Sequence, residues 1–352
     1  MGRGPEVQWE EALKTRAFLC KNKGRATSLF ERMSKPHFII WAGFCLALTG
    51  CTIENWFDDP DEDFEIDPWF VETFFQSPAP KVDVLWVVDN TQSMTLEHAS
   101  LEEAFASFIG ELDSAELAYQ IGVVTTDMES DEGILRGNPW IITPSLEDRE
   151  GAFSRAIDVG GASTSKEAGL AAMVSALSSP LRDVENRGFR RTDAGLHVIV
   201  VSDSNDHSDD WLGSNAVQVA NQLLQDEEDA SLVPALFSAV VGDSPNGCSG
   251  PSGNATPGPR YVELASRRGG AFASICESDF DEVLEAFGAM SVVYPRKFAL
   301  ENPADEATIR VSVDDVVVDA WTYASTPPRV ILDEAPNADV KVQIRYQMPE
   351  EP

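Results

Sequence analysis

The feature that most constrains the fold is a series of short apolar runs that alternate with amphipathic stretches from about residue 81 to residue 293. The runs span residues 82–88, 119–124, 197–201 and 233–241, and each is rich in β-branched residues. Continuous apolar runs of strand length are typical of parallel strands that are buried on both faces. We therefore expect a mostly parallel β-sheet covered by helices on both faces.

The stretches between and after these runs predict helices over residues 97–112, 167–177, 215–224, 260–266 and 280–290. In the first of them, the apolar side chains recur at helical spacing and fall on one face: Leu101, Phe105, Phe108, Ile109 and Leu112. The pattern as a whole predicts an α/β, doubly wound domain over residues 81–293. Folds of this class place their sites at the carboxyl ends of the strands.

The pattern changes at about residue 294, where β-type alternation replaces helical spacing. Four segments show it, at residues 308–313, 316–323, 330–332 and 340–346. Short strands in succession indicate an antiparallel sheet, so we expect a small β-rich module over residues 294–352.

An aspartate followed by two hydroxyl residues stands at the end of the first apolar run. These residues are Asp89, Thr91 and Ser93, and in a loop directly after a buried strand their side chains converge on one point. Hard oxygen ligands with one carboxylate suit Mg²⁺, Mn²⁺ or Ca²⁺ rather than a thiophilic ion. The alternative is a helix N-cap without a metal, since Asp, Thr and Ser are all good caps.

This D-x-T-x-S pattern resembles the metal-ion-dependent adhesion site (MIDAS) of von Willebrand factor type A (VWA) and integrin inserted domains, which usually reads D-x-S-x-S. Thr91 replaces the first serine and keeps its hydroxyl. The resemblance covers about residues 82–293 and implies a Rossmann-like VWA fold. The chain looks most similar to acidic VWA lipoproteins of Gram-negative bacteria, with supporting segments at residues 121–127, 239–243 and 260–265.

The resemblance implies two further metal ligands, a threonine from a second loop and an aspartate after a later strand. Asp203 follows the apolar run 198–201 in the expected chain order. The threonine is assigned to Thr164, but Ser163 is an alternative and another alignment places Gly161 there. Without the third hydroxyl, the metal would be held more weakly or with more water. The expected cofactor is Mg²⁺, with Mn²⁺ or Ca²⁺ as alternatives.

The N-terminal region has the layout of a secretory signal peptide over residues 33–51. Its apolar run, residues 38–48, is well short of the ~20 residues that a membrane-spanning helix needs. The run ends in Leu-Thr-Gly-Cys, which resembles the lipobox of bacterial lipoproteins and predicts lipidation at Cys51. Residues 1–32 are then a possible misannotated extension, with Met33 as the true start. Thr52 after the cysteine resembles the outer-membrane sorting pattern, so we expect export and an outer-membrane anchor.

Residues 52–80 are acidic, contain prolines and aromatic residues, and show no sustained period. We interpret them as a linker or tether, with the alternative that their aromatic side chains pack back onto the domain. The aspartate run from Asp59 suggests a calcium loop, but Phe64 stands where an EF-hand needs glycine.

Two of the five cysteines, Cys248 and Cys276, remain for the exported domain once the leader and the lipidated residue are set aside. An even pair in an oxidising compartment indicates a disulfide, and two separate buried thiols are the alternative. In the VWA lipoproteins that the chain resembles, paired cysteines flank the last helix and strand.

The charge balance limits the class of partner, because 59 Asp and Glu against 26 Lys and Arg give a net charge of -33. Such a chain repels nucleic acid, so we expect none as a partner. An incompletely coordinated metal at a protein surface accepts one more oxygen, which an Asp or Glu of a protein partner supplies. We therefore expect a metal-dependent adhesion module and no enzymatic activity.

There are two alternatives to a metal-dependent adhesion module, a structural scaffold and a hydrolase. A structural scaffold of the cell envelope would hold a purely structural metal or none. A hydrolase would use the Gly242-Asp243-Ser244 triplet, but all four histidines precede it and give no positive sign of a catalytic triad.

Overall fold

The structure is a computed structural model that describes residues 69–158, 166–251, 253–277 and 279–349. All of these residues belong to one compact unit of the chain. Within them, no helix is long and apolar enough to cross a membrane. The predicted signal peptide, Cys51, and the loop residues Gly161, Ser163 and Thr164 lie outside the described residues.

The described residues form fourteen strands and seven α-helices. The strands are β1 (Trp69–Phe75), β2 (Lys81–Val88), β3 (Ala118–Thr125), β4 (Gly195–Ser202), β5 (Ala235–Val241), β6 (Cys248–Gly250), β7 (Gly253–Ala255), β8 (Phe272–Ser274), β9 (Lys297–Ala299), β10 (Arg310–Val313), β11 (Val316–Val318), β12 (Trp321–Ser325), β13 (Pro328–Leu332) and β14 (Lys341–Gln347). The helices are α1 (Thr95–Ser114), α2 (Arg149–Ile157), α3 (Gly169–Leu177), α4 (Asp209–Leu212), α5 (Ala216–Ser231), α6 (Pro259–Arg267) and α7 (Asp281–Ser291).

A five-stranded parallel sheet in the order β3-β2-β4-β5-β8 forms the centre of the fold. The four apolar runs become β2 to β5, and the prediction of a mostly parallel sheet is confirmed. The fifth strand, β8, is only three residues long and was not predicted. At the other edge, Ile121 and Ile142 exchange backbone hydrogen bonds of 2.8 Å in an antiparallel bridge.

Helices cover both faces of this sheet, as its doubly wound pattern predicts. On one face, alternate β2 residues such as Trp86 pack with α1, α2 and α7, and the Phe105 and Phe153 rings stack with centroids 3.9 Å apart. On the other face, Leu85 and Val87 pack with α3, α5 and α6. Complete burial of each large apolar side chain contributes about 1.5–3 kcal/mol, so the sheet is held from both sides.

The C-terminal part forms two antiparallel sheets, in the orders β1-β14-β10-β11 and β12-β13-β9. The small antiparallel module is therefore confirmed, although the predicted strand 316–323 is divided into β11 and β12. A separate apolar core fills the module and includes Ile309, Val330 and Ile344.

The interpretation of residues 52–80 as a tether is wrong for β1, which pairs with β14 along its whole length. Its inward side chains join the core of the module: Phe70 stacks on Tyr346 with centroids 5.6 Å apart, and Phe74 lies 5.2 Å from Phe298. The alternative, in which the aromatic residues pack back onto the folded chain, is correct for these two side chains. An edge strand gains its stability from its partner strand, which here lies about 270 residues further along the chain.

A disulfide and a group of ion pairs connect peripheral parts of the fold. Cys248 and Cys276 form the expected disulfide, with an S–S distance of 2.04 Å. Near the end of α5, the buried Glu228 pairs with Lys297 of the module at 3.0 Å. Asp229 also pairs with Lys297, at 2.6 Å, so the module is attached to α5 by largely buried charges.

Candidate metal centre

The loop after β2 presents the first predicted ligand at the centre of the sheet's carboxyl edge. The Asp89 backbone N–H continues the sheet by donating to Val201 O at 2.9 Å, and its side chain is 0% exposed. Asp89 Oδ1 accepts hydrogen bonds from the Thr91 backbone N–H at 2.9 Å and from Thr91 Oγ1 at 2.6 Å. Asp89 Oδ2 accepts one from Ser202 Oγ at 2.7 Å. Both carboxylate oxygens are therefore held in fixed positions.

The two hydroxyl residues of the motif continue this row of oxygens toward the surface. Thr91 Oγ1 and Ser93 Oγ are 3.0 Å apart, and Thr91 is half-buried whereas Ser93 is exposed. Neighbouring oxygen ligands of an octahedral Mg²⁺, with bonds of about 2.1 Å, are separated by about 3 Å. The oxygens already have the spacing of ligands that share one small cation, so these residues fit a divalent ion.

Asp203 lies beside this row because β4 is the parallel neighbour of β2. It directly follows Ser202, is 7% exposed, and accepts a hydrogen bond from Ser204 Oγ at 3.0 Å on Oδ1. The chain leaves β2 toward α1 on one face and leaves β4 toward α5 on the other. A crevice opens at such a switch point in a doubly wound sheet, and this is where Asp89 and Asp203 are brought together.

Sequence reasoning missed three groups that complete the neighbourhood of the site. Ser202 holds Asp89, and Glu97 of α1 is 3% exposed with no hydrogen-bond partner for Oε2 in the described part of the chain. Glu167 is also 3% exposed and accepts a hydrogen bond from Thr126 Oγ1 at 2.5 Å on Oε2. Ser202, at the end of an apolar strand, was the only one with a local signal.

Three carboxylates at this site, Asp89, Glu97 and Glu167, have raised pKa values. Burial raises the pKa of Asp89 and prevails over the hydrogen bonds from Thr91 and Ser202, and the charge of Asp203 adds to the increase. Burial and the nearby Asp89 raise the pKa of Glu167 to about 7. Burial also raises the pKa of Glu97, with contributions from Asp203 and Asp89. Within the described ranges, no Lys or Arg forms an ion pair with any of these four groups.

The loop that carries the third predicted hydroxyl is described only at its two ends. On its C-terminal side, Ala168 N–H donates to Thr126 O at 3.0 Å, and His207 N–H donates to Glu167 O at 2.7 Å. These bonds fix the return of the loop at the carboxyl edge of the sheet, beside the end of β3. The assignment to Thr164 or Ser163 stays a prediction.

The chemistry of the donor set distinguishes this site from a zinc or thiolate centre. Among the described residues, no group of three or more His, Cys, Asp or Glu is arranged to hold a metal. The candidate ligands are instead two carboxylates and two hydroxyls, a hard oxygen set. His98 Nε2 is occupied by the Asp89 backbone carbonyl at 2.7 Å, so it positions the loop.

No protein-family model matches the chain, and no curated protein matches it either. Among solved structures, it is similar to proximal thread matrix protein 1 from the mussel byssus in its crystal form 2, with 15% identity and a TM-score of 0.36. It is also similar to the structure of that protein with a zinc-occupied MIDAS motif, with 15% identity and a TM-score of 0.38. Each match covers 64% of this chain and 50% of the other, so the chain spans about half the length of these structures.

The fold class is assigned from the strand order of the sheet. The candidate metal site is assigned from the contacts among its own residues. A parallel sheet with helices on both faces, and an aspartate and hydroxyl site at its switch point, define a doubly wound α/β protein. The antiparallel module contains strand β1, which precedes the parallel sheet in the chain, and strands β9 to β14, which follow it.

Proposed function

We propose that this chain is an adhesion module that binds a divalent cation at Asp89, Thr91, Ser93 and Asp203 and recognises a carboxylate of a protein partner through it. The observation that carries the proposal is the row of oxygens that runs from the buried Asp89 to the exposed Ser93. One end of the row is fixed by the sheet, and the other is accessible to a partner.

Each residue of the site has a separate task. Asp89 supplies a carboxylate ligand, and Ser202 and the Thr91 backbone N–H hold its two oxygens. Thr91 and Ser93 supply neutral oxygens, so the site adds ligands without adding repulsion. A divalent cation bound here would supply a Lewis-acid position for a partner's oxygen. Mg²⁺ fits the spacing best, and Mn²⁺ or Ca²⁺ are alternatives.

The surrounding carboxylates explain why such binding would depend on the cation. Asp89, Asp203, Glu97 and Glu167 place negative charge at the crevice and repel an acidic partner. A bound divalent cation offsets this repulsion locally. Recognition would therefore be lost when the cation is removed, and we propose binding rather than catalysis as the activity.

Water-proton relaxation with Mn²⁺ as the probe tests the open ligand position. We expect bound Mn²⁺ to enhance relaxation in the wild type and a polyglutamate chain to reduce the enhancement by displacing bound water. Asp89→Ala should show no enhancement, whereas the control Asp183→Ala, at an exposed aspartate, should behave as wild type. Enhancement that polyglutamate leaves unchanged would indicate a purely structural cation and contradict the adhesion proposal.

For the cellular location, we propose an exported protein that is anchored to the outer membrane through a lipid on Cys51. The support is the lipobox-like sequence before this cysteine and the threonine after it. Cys51→Ala should move the protein from the membrane fraction to the soluble fraction. Undiminished membrane association of that variant would contradict the anchor.

A further inference from the structure

An acidic cleft of about 460 Å³ lies directly beside the candidate metal centre. Its wall includes Asn90 and Thr91 of the metal loop, His98 and Glu102 of α1, and Asp158 at the end of α2. Thr91 belongs to both the cleft and the metal site. A partner that reaches the cation can therefore also reach the cleft.

The α1 wall of the cleft is a single helical stripe. Thr95, His98, Ala99 and Glu102 lie at positions i, i+3, i+4 and i+7 of the helix, which share one face. At 1.5 Å per residue, Thr95 and Glu102 are about 10 Å apart along the helix axis. The stripe leads away from the metal loop and ends at an exposed carboxylate.

The opposite wall adds a second negative charge. Asp158 is the C-cap of α2, and a helix C-terminus carries a partial negative charge of its own. Ser154 Oγ of α2 donates to Glu102 Oε1 at 2.9 Å, which holds the Glu102 carboxylate on the α2 side. Neither Glu102 nor Asp158 forms an ion pair with a residue that the structure describes. Both charges are therefore available to a ligand.

Asn90 is an independent sign that the cleft receives a ligand. Its side chain lines the cleft and is only 5% exposed, yet its Oδ1 has no hydrogen-bond partner among the described residues. A buried polar atom without a partner is destabilising, because it has lost its hydrogen bonds to water. A donor group from a bound segment would remove this destabilisation.

We propose that the partner presents an extended segment with two charges: an acidic residue at the cation, and a lysine or arginine three or four positions away in the acidic cleft. The spacing follows from the stripe, which begins at Thr95, two residues after the candidate ligand Ser93, and reaches Glu102 about 10 Å further on. Three residues of extended chain span about the same distance. This inference rests on the proposed function and adds the requirement for the basic residue. The two carboxylates, the α2 C-terminus and Asn90 Oδ1 all favour a cationic donor.

Selection from a displayed library of random heptapeptides on the full chain in Mg²⁺ tests this proposal. We expect enriched peptides to contain an acidic residue and a basic residue separated by three or four positions. The double variant Glu102→Gln/Asp158→Asn should still enrich the acidic residue but lose the preference for the basic one. For one enriched peptide, we expect affinity to fall about five-fold in this variant, since exposed ion pairs contribute up to about 1 kcal/mol.

The control variants separate the two proposals. Glu103→Gln/Asp183→Asn changes two other exposed acidic residues and should select the same peptides as wild type. Asp89→Ala should lose enrichment of the acidic residue. If wild type enriches acidic peptides with no basic preference, or if the cleft variant keeps that preference, the cleft proposal is wrong and the proposed function stands. If wild type enriches no acidic peptide, the proposed function fails, and the cleft proposal fails with it.

Discussion

Two buried aspartates at opposite ends of β2 have different partners. Asp83, near the amino end, is 0% exposed and pairs with Arg190 at 3.1 Å and Arg191 at 2.7 Å. Asp89, just past the carboxyl end, is equally buried but is held by hydroxyls and lies near Asp203. The chain itself supplies the cations at the first end, whereas at the second end none of the described residues does.

This difference separates a structural charge from a functional one. A buried ion pair that is complete within the chain keeps its geometry and has no free ligand position. A buried carboxylate surrounded by neutral oxygens and other carboxylates gains most from a cation that comes from solution. Burial alone therefore does not indicate a site, and the identity of the partner groups does.

The largest expected effect on stability comes from removing the ion pair of Asp83 at the amino end of β2. Arg190 is nearly fully buried and also pairs with Glu227 at 2.7 Å, so Arg190→Ala leaves two buried carboxylates short of a cation. We expect a loss of about 3–5 kcal/mol in the free energy of unfolding, measured by urea denaturation in EDTA. The control Arg187→Ala, at an exposed arginine, should change it by less than about 0.5 kcal/mol. A loss below 1 kcal/mol for Arg190→Ala would mean that the network is not a structural requirement.

At the carboxyl end of β2, the effect of replacing Asp89 on stability should depend on whether a divalent cation is present. Without metal, Asp89→Asn removes one charge from a repulsive group and should leave the unfolding free energy unchanged or higher. With Mg²⁺ at about 100 times its Kd, the wild type should gain about 2.7 kcal/mol and the variant nothing. Urea denaturation in Mg²⁺ and in EDTA measures both. Equal destabilisation of Asp89→Asn and Asp83→Asn in EDTA would remove the distinction between the two ends.

A buried histidine, His197, makes the stability of the sheet depend on pH independently of Asp83 and Asp89. His197 of β4 is fully buried between Ser291 Oγ at 2.7 Å and Ser238 Oγ at 2.8 Å, and burial lowers its pKa from 6.5 to about 3. The unfolded chain binds the proton first, so this histidine's contribution to stability is lost as pH falls below 6.5. The loss is about 2 kcal/mol at pH 5.

His197→Gln removes this proton-linked loss. Between pH 7 and pH 5 in EDTA, wild type should lose about 2 kcal/mol more than His197→Gln in urea denaturation. Comparing the two proteins cancels the opposite effect of Asp89, Glu97 and Glu167, whose raised pKa values favour the folded state in acid. Identical losses in both proteins would show that His197 is not the cause.

The smallest expected effect is on the affinity for Mg²⁺, and it tests whether the Thr91 hydroxyl is a metal ligand. Thr91→Ser keeps the oxygen and should change the affinity for Mg²⁺ by less than about two-fold. Thr91→Val keeps the shape but loses the oxygen, and should weaken binding by about ten-fold, or about 1.4 kcal/mol. Calorimetric titration of both variants measures the ratio. Equal affinities would mean that Thr91 is not a ligand.

The sequence was most informative where structure and chemistry are local. Four strands of the parallel sheet were predicted from their apolar runs, and the candidate ligands Asp89 and Asp203 were predicted because each lies within two residues of the end of such a run. The contact between Asp89 and Ser202 joins residues 113 positions apart, and Glu97 and Glu167 reach the site only through the packing of α1 and the loop before α3. These contacts depend on tertiary packing, so they could not be predicted from the local sequence.

The same reason explains the missed strand β1. Its alternation is short and lies in an acidic, proline-containing stretch, and its partner β14 is at the far end of the chain. A shortened protein that begins after Phe75 would leave the edge of β14 unpaired and would remove the ring contacts of Phe70 with Tyr346 and of Phe74 with Phe298. Soluble forms should therefore begin before Trp69.

Isothermal titration calorimetry of the purified full chain with Mg²⁺, Mn²⁺ and Ca²⁺ tests the central claim most directly. Asp89→Ala and Asp203→Ala remove the two candidate carboxylate ligands, and Asp183→Ala, at an exposed aspartate away from the site, is the control. We predict saturable binding of at least one cation to wild type and the control, and none to Asp89→Ala or Asp203→Ala. No binding to folded wild type, or equal binding to Asp89→Ala, would contradict a metal centre at this edge of the sheet.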